Sequence, residues 1–242
     1  SGGPHGSGPV RQTDAAAPSN EQSWVSRSMT RHGKVSVKPH TFEEVDCEAW
    51  SVTGTPSDCV NIALGHLLPR KPDIVVSGIN IGYNATETLI FSSGTVAGAL
   101  EAAVWRLPAL ALSKWLPREV WEIFRLGKPG AEEVLESVRC DGARAAQHAQ
   151  TLLGQTPRDM IVHNLNFPFN SDRDTEMVGV RPAPLRLGSL FEKKPEGHYE
   201  FTYARGEVLE DSQELDYPAL MAGKITYSVL NFSVVGSAPQ KE

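Results

Sequence analysis

Cysteine is scarce in this chain. Only Cys47, Cys59 and Cys140 occur, and no CxxC pair is among them. That excludes a disulfide framework and a cysteine-built zinc site, and leaves reduced thiols in a cytoplasmic protein as the expectation. Long apolar runs are lacking as well: none approaches the roughly 20 residues of a membrane-spanning helix. No charged-then-apolar leader is written at the start. No basic run exceeds two residues, and the net charge is −6 with a pI near 5.7. A general nucleic-acid surface and a polybasic membrane patch are therefore not expected. No GxGxxG follows a strand, which disfavours a dinucleotide-binding Rossmann enzyme.

What is present fits a globular α/β protein. Hydrophobic residues make up 40% of the 242 positions, enough at this length for a core that needs no covalent staples. Residues 1–16, rich in Gly, Ser, Pro and Ala, read as a disordered leader. "KVSVKPH" and "CEAWSVTG" alternate as strands. "TPSDCVNIALGHLL" reads as a helix that Thr55 or Ser57 caps, with Pro56 in its first turn. The strand Asp73–Ser77, a helix opening at "SSGT", the strand Ala109–Ser113, a long helix over 130–154 and the strand in "DMIVHNLNFP" follow in alternation. This order predicts a three-layer α/β/α core with a largely parallel sheet over residues 17–168. Residues 169–242 read as an extended C-terminal arm or hairpin with a short helix and a final strand.

Three places carry candidate chemistry. "SGIN" ends a core strand, and ligands gather at the carboxyl ends of parallel strands. There Asn80 offers an amide oxygen to a hard cation; the competing reading is that it only satisfies turn backbone. "SSGT" opens a helix, so Ser93, Gly94 and Thr95 suit a phosphate, or form an ordinary N-cap. Asp58, in a first helical turn, is expected to balance the helix dipole rather than to catalyse. His32, His66 and His163 stand at no metal-ligand spacing, and Asn164 and Asn166 are expected to serve strand-end hydrogen bonding.

Taken in order, "APSNEQSWVSRSMT", "TGTPSDCVNIAL", "PDIVVSGINIGYN", "SSGTVAGALEAA", "LPALALS", "HNLNFP" and "DYPALMAGKITYSVL" resemble the SurE family, the survival-protein phosphatases. The resemblance runs from about Ala17 to the last strand. It implies a Rossmann-like core and a metal-dependent 5'-nucleotidase acting on nucleoside monophosphates. It also implies one divalent cation, magnesium or manganese, and a homo-oligomer, dimer or tetramer, formed by exchange of the C-terminal extension. Tyr199, Phe201 and Tyr203 are then expected at the subunit contact. In the family the cation is held by two adjacent aspartates after the first strand, by the serine of "QS" and by the asparagine of "SGIN"; the last two map onto Ser23 and Asn80. The "SGT" element, Ser93 to Thr95, matches the phosphate-side helix terminus, and Asn84 would line the site. On this reading the small residues after the strand let metal and phosphate approach the backbone.

The chain departs from the family at its start. The Asn-Asp-Asp-Gly turn is not in it, and the acids upstream of Ser23 are Asp14 and Glu21. Trp24 and Ser26 stand where the family usually has glycines, and Ile81 where it often has arginine. The expectation is weak cation binding and slow turnover, with a fragment or a non-catalytic oligomeric relative as the alternative.

Overall fold

The computed structural model describes residues 13–42, 45–203 and 206–234. Its main sheet carries β4 (Val75–Ile81), β5 (Ala109–Lys114), β6 (Ile161–Phe167), β7 (Met177–Gly179) and β12 (Ile225–Asn231) in the order β4-β5-β6-β12-β7. β4, β5 and β6 run parallel; β12 is antiparallel to β6 and parallel to β7. A second sheet joins β1 (Ala15–Pro18), β2 (Val37–His40) and β3 (Ala49–Val52), with β3 in the middle.

The two faces of the main sheet are sorted by side-chain size. Along β5 the period of two sends Ala109 and Ala111 to one face, and Leu110 and Leu112 to the other. The alanine face meets α3 (Gly94–Val104), itself lined with Ala99, Ala102 and Ala103, so helix and sheet approach closely. The leucine face meets Ala145 and Leu152 of α5 (Ala131–Leu152), together with Leu165 and Phe167. Helix on each side of one mostly parallel sheet is the expected three-layer arrangement. Beside α3 lies α1 (Pro56–Ile62), continued by a π turn through Leu67. Two short helices, α2 (Glu87–Ser92) and α4 (Arg118–Arg125), lie in connections to which the sequence pattern assigned no element.

Three expectations need correcting. Residues 1–12 of the expected leader lie outside the described residues, but Ala15 and Ala16 belong to β1, which pairs with Ala49 and Trp50. The strand expected to stop at Ser77 runs on to Ile81, with an irregular step between Ser77 and Asn80. The arm expected over 169–242 is only partly an arm. Its last strand, β12, pairs with β6 from Asn231↔Ile161 to Thr226↔Asn166, because the alternating apolar positions of "ITYSVLN" find their partner inside the same sheet. α6 (Asp216–Met221) packs on β12. What projects is the ribbon of β8 (Leu185–Arg186) with β11 (Glu207–Val208), and the hairpin of β9 (Phe191–Lys193) with β10 (Tyr199–Phe201). No helix among the described residues is long and apolar enough to cross a membrane.

Candidate functional site

A cleft of about 1600 Å³ opens at the carboxyl ends of β4 and β5. Ser23, Asn80, Asn84, Ser93, Gly94 and Thr95 all line it. These six, the candidate metal- and phosphate-side residues, come from three separate segments.

The segment carrying Ser23 has no helix or strand of its own, and its position comes from four ties. Ser26 donates from its backbone N–H to the Ser92 carbonyl at 3.1 Å and from its hydroxyl to the Phe91 carbonyl at 2.7 Å. Arg27 meets the buried Glu101 at 2.6 Å, and Glu101 also accepts from Asn61 at 2.8 Å. The Thr55 hydroxyl donates to the Ser28 carbonyl at 2.8 Å. Asp58 accepts from the Thr30 backbone and hydroxyl at 2.6 to 3.2 Å, and from the Thr55 backbone at 2.9 Å. Asp58 is therefore more than the dipole partner expected from its place in the helix. It closes a capping box with Thr55 and anchors the loop at the same time. Burial raises its pKa, but the hydrogen bonds from Thr30 and Thr55 outweigh that and hold the carboxyl below its usual value.

The close approach at Gly94 is used by the protein itself. A Cβ there would stand 2.9 Å from the Gln22 carbonyl oxygen and 3.1 Å from Pro56. Glycine thus lets the residue before Ser23 lie directly on the first turn of α3, while Ser93 caps that turn by accepting from the Val96 N–H at 3.0 Å. The small residue within β4, at its irregular step, has a similar internal reason. Gly78 has φ +116°, and a Cβ on it would run into the Leu112 carbonyl. Neither glycine needs a ligand to account for it.

Asn84 is held in the floor. Its backbone N–H donates to Asn166 at 2.8 Å, its side-chain amide donates to Ser113 at 2.6 Å, and its carbonyl accepts from Asn164 at 3.0 Å. Its side-chain amide is thus committed to the wall of the cleft. Asn164 and Asn166 perform the strand-end hydrogen bonding expected of them. Asp216 fixes the next turn by accepting from the backbone of Thr86 at 2.8 Å and of Ala183 at 2.9 Å. Burial pushes its carboxyl up to about 6, with the backbone donors pulling partly the other way.

The polar donors of the cleft suit a hard cation only in part. Asn80 and Ser23 bring neutral oxygens, and Glu21, which lines the same cleft, brings a carboxylate that accepts from the Ser23 hydroxyl at 2.6 Å. Sequence reasoning passed over Glu21 because it follows no strand. Among the described residues no group of three His, Cys, Asp or Glu could hold a metal. An all-oxygen set with one carboxylate fits magnesium or manganese bound jointly with a substrate phosphate rather than a closed protein cage. His163 lies elsewhere, its Nδ1 2.7 Å from the Tyr227 hydroxyl, and burial lowers its pKa.

Comparison with known proteins agrees with this architecture. The family model for survival protein SurE matches residues 10–189. The 5'-nucleotidase SurE of Synechococcus sp. (strain RCC307) is 37% identical over 194 residues, covering 76% of this chain and 64% of that protein. The 5'-nucleotidase SurE of Clostridium botulinum (strain Loch Maree / Type A3) is 32% identical over 237 residues, covering 93% of this chain and 86% of that protein. The chain thus spans less than two thirds of the length of the Synechococcus relative. The crystal structure of the SurE protein from Aquifex aeolicus superposes with a TM-score of 0.64 at 24% identity, covering 91% of this chain and 82% of that one.

Proposed function

The chain belongs to the SurE family, and from that premise we propose that its cleft hydrolyses phosphomonoesters in the manner of a 5'-nucleotidase. Nucleoside 5'-monophosphates are the substrates and one divalent cation, magnesium or manganese, is the cofactor. The observation that carries this reading is the meeting of Ser23, Asn80 and the first turn of α3 in one cleft.

The residues divide the work. Asn80, Ser23 and Glu21 supply the oxygens that would hold the cation. When bound, the cation supplies Lewis-acid polarisation of a phosphoryl oxygen. The backbone N–H groups of Gly94 and Thr95 belong to a helical first turn, which leaves them without helical acceptors. They can donate to the equatorial oxygens as charge builds on the phosphoryl group. Ser93 fixes that turn, and Gln22 against Gly94 keeps Ser23 beside it. In the reaction a water oxygen bonds to phosphorus as the ester P–O bond breaks. The departing alkoxide takes up a proton, and inorganic phosphate and the alcohol leave.

A second reading, a relative that binds phosphate esters without turning them over, is favoured by one observation. Among the cleft-lining residues Glu21 is the single carboxylate. The same family membership supports a homo-oligomer in which the projecting hairpin meets a second copy, with Tyr199, which does not line the cleft, at the contact. The free thiols support a cytoplasmic setting. The test is orthophosphate release from AMP and GMP with manganese, with magnesium and with a chelator. Turnover that needs the cation supports the enzyme. Cation-dependent binding of AMP without any release gives the second reading. Neither binding nor release removes both.

A further inference from the structure

Aromatic side chains are concentrated in the cleft. Three of the chain's five tryptophans, Trp24, Trp115 and Trp121, line it. Trp24 begins an unbroken arc of rings. Its centroid lies 5.3 Å from Phe201 and 5.8 Å from Tyr203. The Tyr203 hydroxyl is 3.2 Å from that of Tyr83, and Tyr83 lies 5.7 Å from Tyr217. All five rings of this arc line the cleft.

Two features separate the arc from ordinary packing. Rings that only cement the hairpin to the core would bury their faces, yet Phe201 remains 48% exposed and Tyr203 46%. Trp24 also lies between Gln22 and Val25, both of which pack against Gly94 in the first turn of α3. A molecule whose phosphate lies against Ser93–Thr95 therefore extends toward open aromatic faces.

We propose that this arc is a stacking subsite for the flat aromatic ring of the substrate, a nucleobase, and that Trp24 is its specificity-determining residue. The proposal rests on the reading of the cleft as a phosphomonoester site. The ring quadrupoles of tryptophan and tyrosine favour offset or tilted contact with another π system. Such contacts tolerate any base because every base has a π face. The arc therefore distinguishes a nucleotide from a sugar phosphate rather than one nucleobase from another. Because Phe201 and Tyr203 come from β10 and the residues that follow it, the hairpin becomes a wall of the substrate site.

The test is calorimetric titration of the full chain with adenosine, with ribose and with inorganic phosphate, repeated on Trp24→Ala and Phe201→Leu. None of these ligands is hydrolysed, so the outcome does not depend on turnover. The intact chain binds adenosine more tightly than ribose. Trp24→Ala weakens adenosine about 5- to 150-fold, the range of one lost stacking contact, and leaves phosphate affinity as it was. Where Trp24→Ala fails to fold, Phe201→Leu gives the same selective weakening. Adenosine bound no more tightly than ribose by the intact chain overturns the proposal, as does equal weakening of adenosine and phosphate in either variant. Selective adenosine binding by a chain that releases no phosphate from AMP sustains the subsite while removing the enzyme reading.

Discussion

Gly94 and Gln22 touch: a Cβ on Gly94 would stand 2.9 Å from the Gln22 carbonyl oxygen. The absence of one methyl group lets a helix terminus and the irregular segment that precedes Ser23 lie against each other. Gly94→Ala is therefore expected to act on the site more than on the fold. Alanine is a better helix former than glycine, which offsets part of the clash. Affinity for inorganic phosphate should fall about tenfold or more while the thermal midpoint moves by only a few degrees. Parallel titration and thermal melts check this, and an unchanged phosphate affinity would detach Gly94 from the site.

Asp58 gives a prediction with a pH sign. Asp58→Asn keeps the shape but weakens the bonds from Thr30 and Thr55, at a cost of about 2 kcal/mol. The carboxyl is held below its ordinary value in the folded chain. Its contribution is therefore present above the unfolded pKa of 3.8 and lost as pH falls through the lower folded value. Urea denaturation of both proteins should show a gap that is steady from pH 7 to pH 5 and narrows below about pH 4.

Asp216 carries the opposite sign. Its folded pKa is raised to about 6 from 3.8, so the folded chain binds the extra proton. The stability linked to this proton is full below the unfolded value and is lost as pH rises through about 6. Asp216→Asn cannot titrate. The stability difference between the intact chain and the variant should shift in the variant's favour as pH rises from 4 to 6.5, then level off. A difference independent of pH across that window would contradict the raised value.

A buried ion pair gives a test of stability. Lys114 and Asp141 are 0% and 1% exposed and lie 2.7 Å apart, with Ser171 donating to Asp141 at 2.6 Å. Asp141→Ala leaves the ammonium buried without its counter-charge and should cost about 3–5 kcal/mol. The double change Lys114→Met with Asp141→Leu should recover much of that loss. Chemical denaturation of the single and double variants reads both.

Most of this architecture can be read along the sequence, because its signals are local. The alternation of β5, the capping of α1 by Thr55 and of α3 by Ser93, and the turn after β4 each follow from residues within a few positions of one another. What is not legible depends on distance. β12 has the same alternating pattern whether it pairs within the sheet or with another copy, and only the register Thr226↔Asn166 decides between them. Asp58 looks like a dipole partner because Thr30, its second partner, lies 28 residues upstream. α2 and α4 are too short for a periodic pattern to stand out. Ser23 and Asn80 were legible as candidate site residues through family resemblance, whereas Glu21 and the aromatic arc were not, since neither follows a motif and both need the folded cleft to be noticed.

The most direct measurement of the central claim is orthophosphate release from AMP in the presence of manganese, comparing the intact chain with Asn80→Ala. Asn80 lies at the end of β4 beside Ser113 in the register of β5, so its truncation removes a site oxygen and leaves the sheet standing. The account predicts release by the intact chain that stops on chelation. It predicts at least a hundredfold slower release by Asn80→Ala, on the scale of losing one ligand or charge-stabilising group, with an unchanged circular dichroism spectrum. Release that survives chelation, or that proceeds equally well without the Asn80 side chain, would contradict it.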